Sequence, residues 1–594
     1  MNDREIHDVR VTRPGTEATQ SANSSTSRRK FLGQCGLAAG LAAGTLAAPA
    51  AAAASAQSES AGASAAATAA NVGGNPRLLQ AFELRVSEAT RDALLGPARN
   101  VNNGDQALYA DHGGTYTKGL AHDQYGRVTP DSFSSFTKAL NSGKFSDFED
   151  IIVGGTRTQN GPQAAYAFCL AAPDGLQFGQ PQVPPAPPIA GAISGTELLE
   201  HYWAALLRDT NFTDYDTSTL AQTAASELSS QPSYLGPRNG SGQVTTDLLF
   251  RGGFPGETAG PYTSQLFLQP TFFGAQPLSQ QQQTFLPGQN FGVSFSEWLQ
   301  IQNGQATGRS LAFDPQYRYR RNGADLAAYT HVDVLYQAYF TAFLSLAGMG
   351  AHGNPGNPYA HSTTENGFGT WGGPDFASTI GDVACKALNA VWYQKWLVHL
   401  RPRPEATSGQ VQLVKTGQSA FTDVIPNATI LNSVGLQTSF NKFGTWLLPL
   451  AFPEGSPTHP AYPTGHGTVG GACITILKFF YDGSQLIQPL LEAAGSQVSV
   501  PSTDGLTLLP YTGTDAASLT VNGELNKLGH NVSFGHGIHA GIHWRSDSDT
   551  SLLLGEAFAL AYLNEKAKTY NEPFTVEITK FDGTTATISN VGHP

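Results

Sequence analysis

Apolar positions along the chain recur mostly at helical spacing. In Val332 to Gly350, Leu335, Tyr339, Phe343 and Leu346 follow the i, i+3, i+4 rule, which predicts an amphipathic helix. Asp333 and Gln337 interrupt that stretch, so a buried helix is expected rather than a membrane span. Pro374 opens a second candidate helix, with Phe376, Ile380, Ala384, Leu388 and Val391 on one stripe. It should run to about Leu400, before Pro402 and Pro404 stop it. Thr468 to Tyr481 and Thr550 to Leu563 read as two more apolar helices. Segments 173–198 and 230–310 are rich in Gly, Pro, Asn and Gln and read as long loops. Alternating strands are few. Phe574–Ile578 and Thr585–Ile588, around Asp582-Gly583, predict one C-terminal hairpin. The expected fold is mainly α: a helical bundle or bundles with long loops and a small C-terminal β-hairpin.

Composition narrows the class. Of 594 residues, 40% are hydrophobic and 13% charged, which is enough to fill a large core and too apolar for disorder. The net charge of −12, with no Lys/Arg run beyond the N-terminus, argues against nucleic acid as a partner. Four cysteines in this length exclude a disulfide scaffold. Ser27-Arg28-Arg29-Lys30-Phe31-Leu32, followed by an Ala/Gly/Leu stretch to about Ala56, reads as a twin-arginine export signal. Ala54-Ser55-Ala56 offers the cleavage pattern, and the Ala/Gly content makes a transmembrane reading weaker. The expected organisation is a signal over 1–56, a Ser/Ala/Gly linker over 57–76 and a folded domain over 77–594, periplasmic or secreted. Loss of Cys35 with the signal leaves Cys169, Cys385 and Cys473. Such a set permits one disulfide and leaves a free thiol or an intermolecular bond.

Three segments carry chemistry. The first is Trp392-Tyr393-Gln394-Lys395-Trp396-Leu397-Val398-His399-Leu400-Arg401-Pro402-Arg403-Pro404-Glu405. A Lys on the last turns of a buried stripe, then two Arg in a proline-stiffened exit, is costly unless an anion meets it. The second, Glu454 to His466, ends in Pro463-Thr464-Gly465-His466 ahead of an apolar run, which marks a helix N-terminus with anion-binding amides. His466 in the first turn is placed to exchange a proton with a bound oxyanion. In the third, His530 precedes His536, His539 and His543, which stand at i, i+3 and i+7 on one face if the segment is helical. Each segment alone has a bland reading: a solvated basic helix end, a Thr cap with an incidental His, or core imidazoles.

Together, Lys-x7-Arg-Pro, Pro-Thr-Gly-His and His-x3-Asp resemble the signature shared by vanadium-dependent haloperoxidases and type-2 acid phosphatases. The wording is nearest the algal-type bromoperoxidases. Arg403-Pro404-Glu405, Glu454-Gly455-Ser456-Pro457-Thr458-His459-Pro460, Ser551 to Glu556 and Lys580 to Thr585 look like that group. So do Asn103-Gly104-Asp105 and Lys118 to Asp123, and the resemblance spans about 80 to 588. It implies vanadate as cofactor, with His543 as the axial nitrogen and Asp547 following it as in the family pattern. It also implies Lys395 and Arg403 on the equatorial oxygens, the Gly465 amide as donor, and Thr464 in place of the family's usual Ser. His466 is then the acid–base residue, His459 a second active-site histidine, and Trp392 a residue on the halide side.

One departure stands out. The family has an Arg six residues before the axial His, and here that position is Gly537. A one-residue insertion would make His536 its replacement, so a permanent charge is missing or has become titratable; Arg401 or Arg545 are the candidates to compensate. The expected function is vanadate-dependent oxidation of halide, bromide or iodide preferred, by hydrogen peroxide, in a homo-oligomer with an unspecified organic acceptor. The alternatives are an acid phosphatase using the same pocket, with His543 as nucleophile, and a transition-metal-binding protein using the His536/His539/His543 face.

Overall fold

The computed structural model describes residues 77–95, 100–169, 173 and 183–592. The expected export signal, Cys35 and the linker lie outside them. The chain divides into two compact units, the first ending at Thr90 and the second running from Arg91. The boundary falls inside helix α1 (Arg77–Leu95).

In the second unit, the helices that position the site are α2 (Ala192–Leu207), α3 (Gly323–Val332), α4 (Gln337–Gly348), α5 (Gly373–Tyr393), α6 (Pro404–Lys415), α7 (Gly465–Phe480), α8 (Val521–Phe534) and α9 (Arg545–Ala567). Among the described residues, strands pair only as two-stranded antiparallel ribbons. These are β1 (Thr271–Phe273) with β2 (Gln276–Leu278), β3 (Gln282–Phe285) with β4 (Phe313–Arg318), β5 (Ser499–Pro501) with β6 (Leu508–Pro510), and β7 (Thr575–Thr579) with β8 (Thr585–Ser589). The mainly α expectation holds, and so does the C-terminal hairpin, whose inward side chains Val576, Ile578 and Ile588 are buried.

Two boundaries differ from the periodic pattern in instructive ways. The helix expected from Val332 begins at Gln337, because Asp333 is extended (φ −67°, ψ 151°) and leaves the helical path. The segment read as loop over 230–310 contains the first ribbon, β3 and a short helix, Phe295–Gln302. Short, half-exposed elements of this kind give little periodic signal. Among the described residues, Cys385, which is exposed, and Cys473, which is buried, are free thiols and are not joined to each other. No helix among the described residues is long and apolar enough to cross a membrane.

Helix α7 is buried along its whole length and lies against α5, α8 and α9. Its crossing with α9 is backbone on backbone. A Cβ on Gly555 would lie 2.0 Å from the Thr468 carbonyl oxygen, and one on Gly471 would lie 2.0 Å from that of Leu552. Because α7 and α9 each start at the site, this contact sets how far apart the two helix N-termini stand. Gly555→Ala should therefore destabilise by about 1–3 kcal/mol or more, as an overpacked core does. Gly381→Ala, in the interior of α5 with open space around its Cβ, should stabilise by roughly 0.5–1 kcal/mol. Thermal or denaturant unfolding of the two variants checks this, and similar effects from both would show that the close crossing does not exist.

Candidate active site

Helix α5 does not stop cleanly at its proline-rich exit. It passes into a π-helical turn, Gln394–His399, and ends at Leu400 in the left-handed region (φ 41°). That conformation costs a non-glycine residue about 1–2 kcal/mol. It is held by the Leu400 amide donating to the Lys395 carbonyl and the Leu400 carbonyl accepting from the Tyr116 amide. The result aims Lys395 inward from the π-turn and sends Arg401 and Arg403 into the core.

Lys395 is fully buried and donates to the carbonyls of Pro460 and Ala461, both at 2.8 Å. Arg403 holds the same loop, donating from Nε and Nη2 to the His459 carbonyl. The loop is pinned from behind by Glu405, which accepts from the amide and hydroxyl of Ser456 and pairs with buried Lys118 at 2.5 Å. Gly455 (φ 67°) permits this approach, since a Cβ there would lie 2.3 Å from Glu405 Oε2.

The loop leads into α7. Thr464 is its N-cap, yet its side chain caps no amide, and its buried hydroxyl has no partner. The amides of Gly465 and His466 open the helix and have no intrahelical acceptor. His466 Nε2 lies 2.9 Å from Asp333 Oδ1, which leaves Nδ1 without a protein hydrogen-bond partner among the described residues. Sequence reasoning missed Asp333 as a functional residue. Its signal was present as a carboxylate interrupting an apolar stretch, but nothing local links it to His466.

The third segment is not a continuous helix. A second π-turn, Gly535–His539, follows α8, and the chain then turns through Gly541 (φ 80°) before α9 begins at Arg545. The expectation that His536, His539 and His543 share one face is therefore overturned. His536 and His543 face the pocket, whereas His539 points away to the Tyr262 hydroxyl at 2.9 Å and packs against Phe212 and Phe250. His530 is engaged elsewhere by Glu257 and Asp549. Among the described residues, no three His, Cys, Asp or Glu side chains converge as ligands for a metal cation, so the transition-metal reading has no site.

A π-turn takes up one residue more than an α-turn, and His536 and Gly537 both lie in this one. A side chain at Gly537 would meet Ser548 Oγ at 3.2 Å and the His543 Cβ at 3.4 Å, so that position does not open onto the pocket. His536 does, with its ring 4.3 Å from that of His466 and 5.7 Å from that of His543. Its Nδ1 is buried without a partner. The two arginines considered as compensators are engaged by carboxylates: Arg401 by Asp547 and Glu197, and Arg545 by Glu200.

The rings of Trp392, His459, His543, His536 and His466 thus line one wall, with successive centroids 4.8, 6.3, 5.7 and 4.3 Å apart. Arg403 bridges the middle, 2.8 Å from His543 Nε2 and 3.0 Å from His459 Nδ1. His543 Nδ1 lies 3.1 Å from Asp547 Oδ2. The assigned tautomer that satisfies both contacts has hydrogen on Nδ1 and a lone pair on Nε2.

Burial, then the Arg403 charge, pushes Lys395 well below its ordinary range. Burial with Arg403 and Lys395 does the same to His459 and His543. Burial, then His466 and Arg403, lowers His536. Burial lowers Arg403 to about 10. The nearby carboxylates are already engaged, Asp333 by His466 and Asp547 by His543 and Arg401. Crowded donors, an orphaned hydroxyl and open helix amides fit a small tetrahedral oxyanion.

No protein-family model matches the chain. It is 34% identical over 532 residues to a vanadium-dependent bromoperoxidase of Ascophyllum nodosum, covering 86% of this chain and 92% of that protein. It is 31% identical to the vanadium-dependent bromoperoxidases of Corallina pilulifera and Corallina officinalis, in each case over 86% of this chain and 98% of the relative. The fold matches the homohexameric structure of the second vanadate-dependent bromoperoxidase from Ascophyllum nodosum. The TM-score is 0.79 at 27% identity, over 86% of this chain and 90% of that one.

An anion that fills the pocket should stabilise the fold, so phosphate should raise the melting temperature of the ligand-free protein. Thr464→Val should leave ligand-free stability within about 0.5 kcal/mol, since the hydroxyl has no partner to lose, while shrinking the phosphate shift. A large loss of ligand-free stability with an unchanged phosphate shift would show that Thr464 is structural.

Proposed function

The chain belongs to the vanadium-dependent bromoperoxidases, and from that membership we propose how its pocket works. It is a vanadate-dependent haloperoxidase, oxidising halide with hydrogen peroxide. The observation that carries the residue assignment is that His543 presents the lone pair of Nε2 to Arg403 in a pocket that also holds buried Lys395, the open Gly465 amide and the unpartnered Thr464 hydroxyl. His543 is the metal ligand, with Asp547 fixing its tautomer from Nδ1. Lys395 and Arg403 neutralise the oxyanion, Thr464 and Gly465 donate to it, and His536 lies beside it on the His466 side. Bound vanadate supplies a Lewis-acid centre that activates hydrogen peroxide toward halide without changing oxidation state.

The chain supplies the proton handling. His466, anchored at Nε2 by Asp333, takes a proton from peroxide at Nδ1 and returns it to the departing oxygen. His459 and Trp392 form the halide side, the indole ring lying 4.8 Å from the imidazole. An imidazole here, where chloride-oxidising members of the family often carry an aromatic residue, favours bromide and iodide over chloride. We further propose a homo-oligomer, in line with the hexameric neighbour, and export by the twin-arginine route on the strength of Ser27 to Leu32. The phosphatase alternative uses the same groups. Vanadate-inhibited hydrolysis of an aryl phosphate without peroxidase activity would favour it over the present reading.

His543→Ala should lose bound vanadate, because it deletes the side chain assigned to the metal. His466→Ala should keep vanadate but lose turnover by roughly 10²–10⁴-fold, the range for one acid–base group. Equilibrium dialysis and a peroxide- and bromide-dependent bromination assay read the two quantities apart; like behaviour of both variants would overturn the assigned roles. Bromide should outperform chloride at equal concentration, and comparable rates would remove the role given to His459.

A further inference from the structure

Away from the anion pocket, Arg320 is a buried guanidinium with no carboxylate partner. It follows β4, is 3% exposed, and stacks with its Cζ 3.7 Å from the Phe267 ring centroid and 4.6 Å from that of Tyr329. Its Nη1 donates to the carbonyls of Phe267 and Gln280. Its Nε is buried with no acceptor, and among the described residues no protein group meets Nη2. The neighbouring carboxylate, Asp325, is taken by Arg321 at 2.9 Å. Burial pushes Arg320 down to about 10, the direction expected of a cation that lacks a close anion.

Arg320 lines a cavity of about 190 Å³ that is open to solvent, together with Gln282, Tyr329, Val332, Asp333 and Thr341. Gln282 donates from Nε2 to the Asp325 carbonyl, and its Oε1 is buried without a partner. Asp333 is a shared wall, since the same side chain holds His466.

We propose that this cavity binds a small organic monocarboxylate, its two oxygens on the Nε–Nη2 edge of Arg320 and its body along Tyr329 and Val332. The free edge of a guanidinium presents two parallel N–H groups at carboxylate spacing, and a point anion such as a halide uses only part of that geometry. The Asp333 carboxylate in the wall repels a second negative charge, which selects a monoanion. Gln282 Oε1 accepts from a hydroxyl or amide on the ligand. The inference rests on Arg320 and the cavity, which shares Asp333 with the anion pocket, and the reaction proposed for that pocket does not enter it.

The test is calorimetric titration of the full chain, with orthovanadate saturating the anion pocket, using acetate, benzoate and 4-hydroxybenzoate. Benzamide serves as the neutral isostere and sodium bromide as the bare anion. At least one carboxylate should bind with a stoichiometry of one, and benzamide and bromide should bind about tenfold more weakly or not at all. Arg320→Lys keeps the charge and removes the fork, and Thr341→Tyr fills the cavity while leaving Arg320 in place. Each should weaken the carboxylate by about tenfold while bromide oxidation stays within about twofold. Should the lysine variant fail to fold, the tyrosine variant decides. No carboxylate binding to the unmodified chain, binding that neither variant alters, or bromide binding as tightly as the carboxylates would overturn the proposal.

Discussion

The carboxylate of Asp547 is the point on which the site depends. One oxygen accepts from His543 Nδ1 and the Trp544 amide, and the other from Arg401 at 2.6 Å, while the Asp547 carbonyl receives the Thr464 amide. Three segments far apart in sequence therefore meet on one residue: the exit of α5, the start of α7 and the start of α9. Burial disfavours the Arg401 charge, but Asp547 and Glu197 outweigh it and hold the guanidinium above its ordinary range. Glu197, on α2, also accepts from the Ser546 amide, so the first turn of α9 is fixed from both sides. A buried pair of this kind contributes little to net stability, yet removing one partner strands the other charge. Its use here is positional: it sets which nitrogen of His543 carries hydrogen.

Both π-turns deliver a pocket side chain, Lys395 from the first and His536 from the second. A π-turn lowers the number of well-formed backbone bonds and is uncommon outside functional positions. It also shifts the phase of the helix by one residue, and this gave the sequence-level reading its main difficulty. Helices α5, α7 and α9 were legible because their apolar stripes are long. The anion segments were legible because Lys, Arg, Thr-Gly-His and His-x3-Asp are rare at those spacings, and Lys395, Arg403, Thr464, Gly465, His466, His459, Trp392 and His543 all come together. His539 was misplaced because a strict helical period was extended across a π-turn and a break. Asp333 and Glu197 were illegible as site residues, since each acts across more than 130 residues of sequence and has no local motif.

The same phase shift explains the departure at Gly537. Sequence spacing alone left it open whether the missing guanidinium had been deleted or moved. Gly537 packs against the His543 backbone and Ser548, and its carbonyl accepts the amides of Ile542 and His543. A long side chain there would break the turn that presents His543. The adjacent position, His536, lies in the same π-turn and has its ring beside those of His466 and His543. An imidazole is shorter than a guanidinium and carries one or two donors where arginine has five. Its ring stands between those of His466 and His543, tilted by 32° to the first and 44° to the second.

The pocket draws its permanent charge from few side chains. With Arg401 and Arg545 tied to carboxylates, Arg403 is the one guanidinium among the described residues that reaches His543, and Lys395 supplies the second cation. Both also hold the loop from His459 to Ala461 through its carbonyls. The two cations proposed to neutralise an oxyanion are thus also the groups that keep His459, proposed for the halide side, in place. Loss of either cation would therefore disturb anion binding and the His459 wall together, whereas loss of His536 would act on the oxyanion and the His466 side alone. The two halves of the pocket are built on different helix ends, and Asp547 is the residue that joins them.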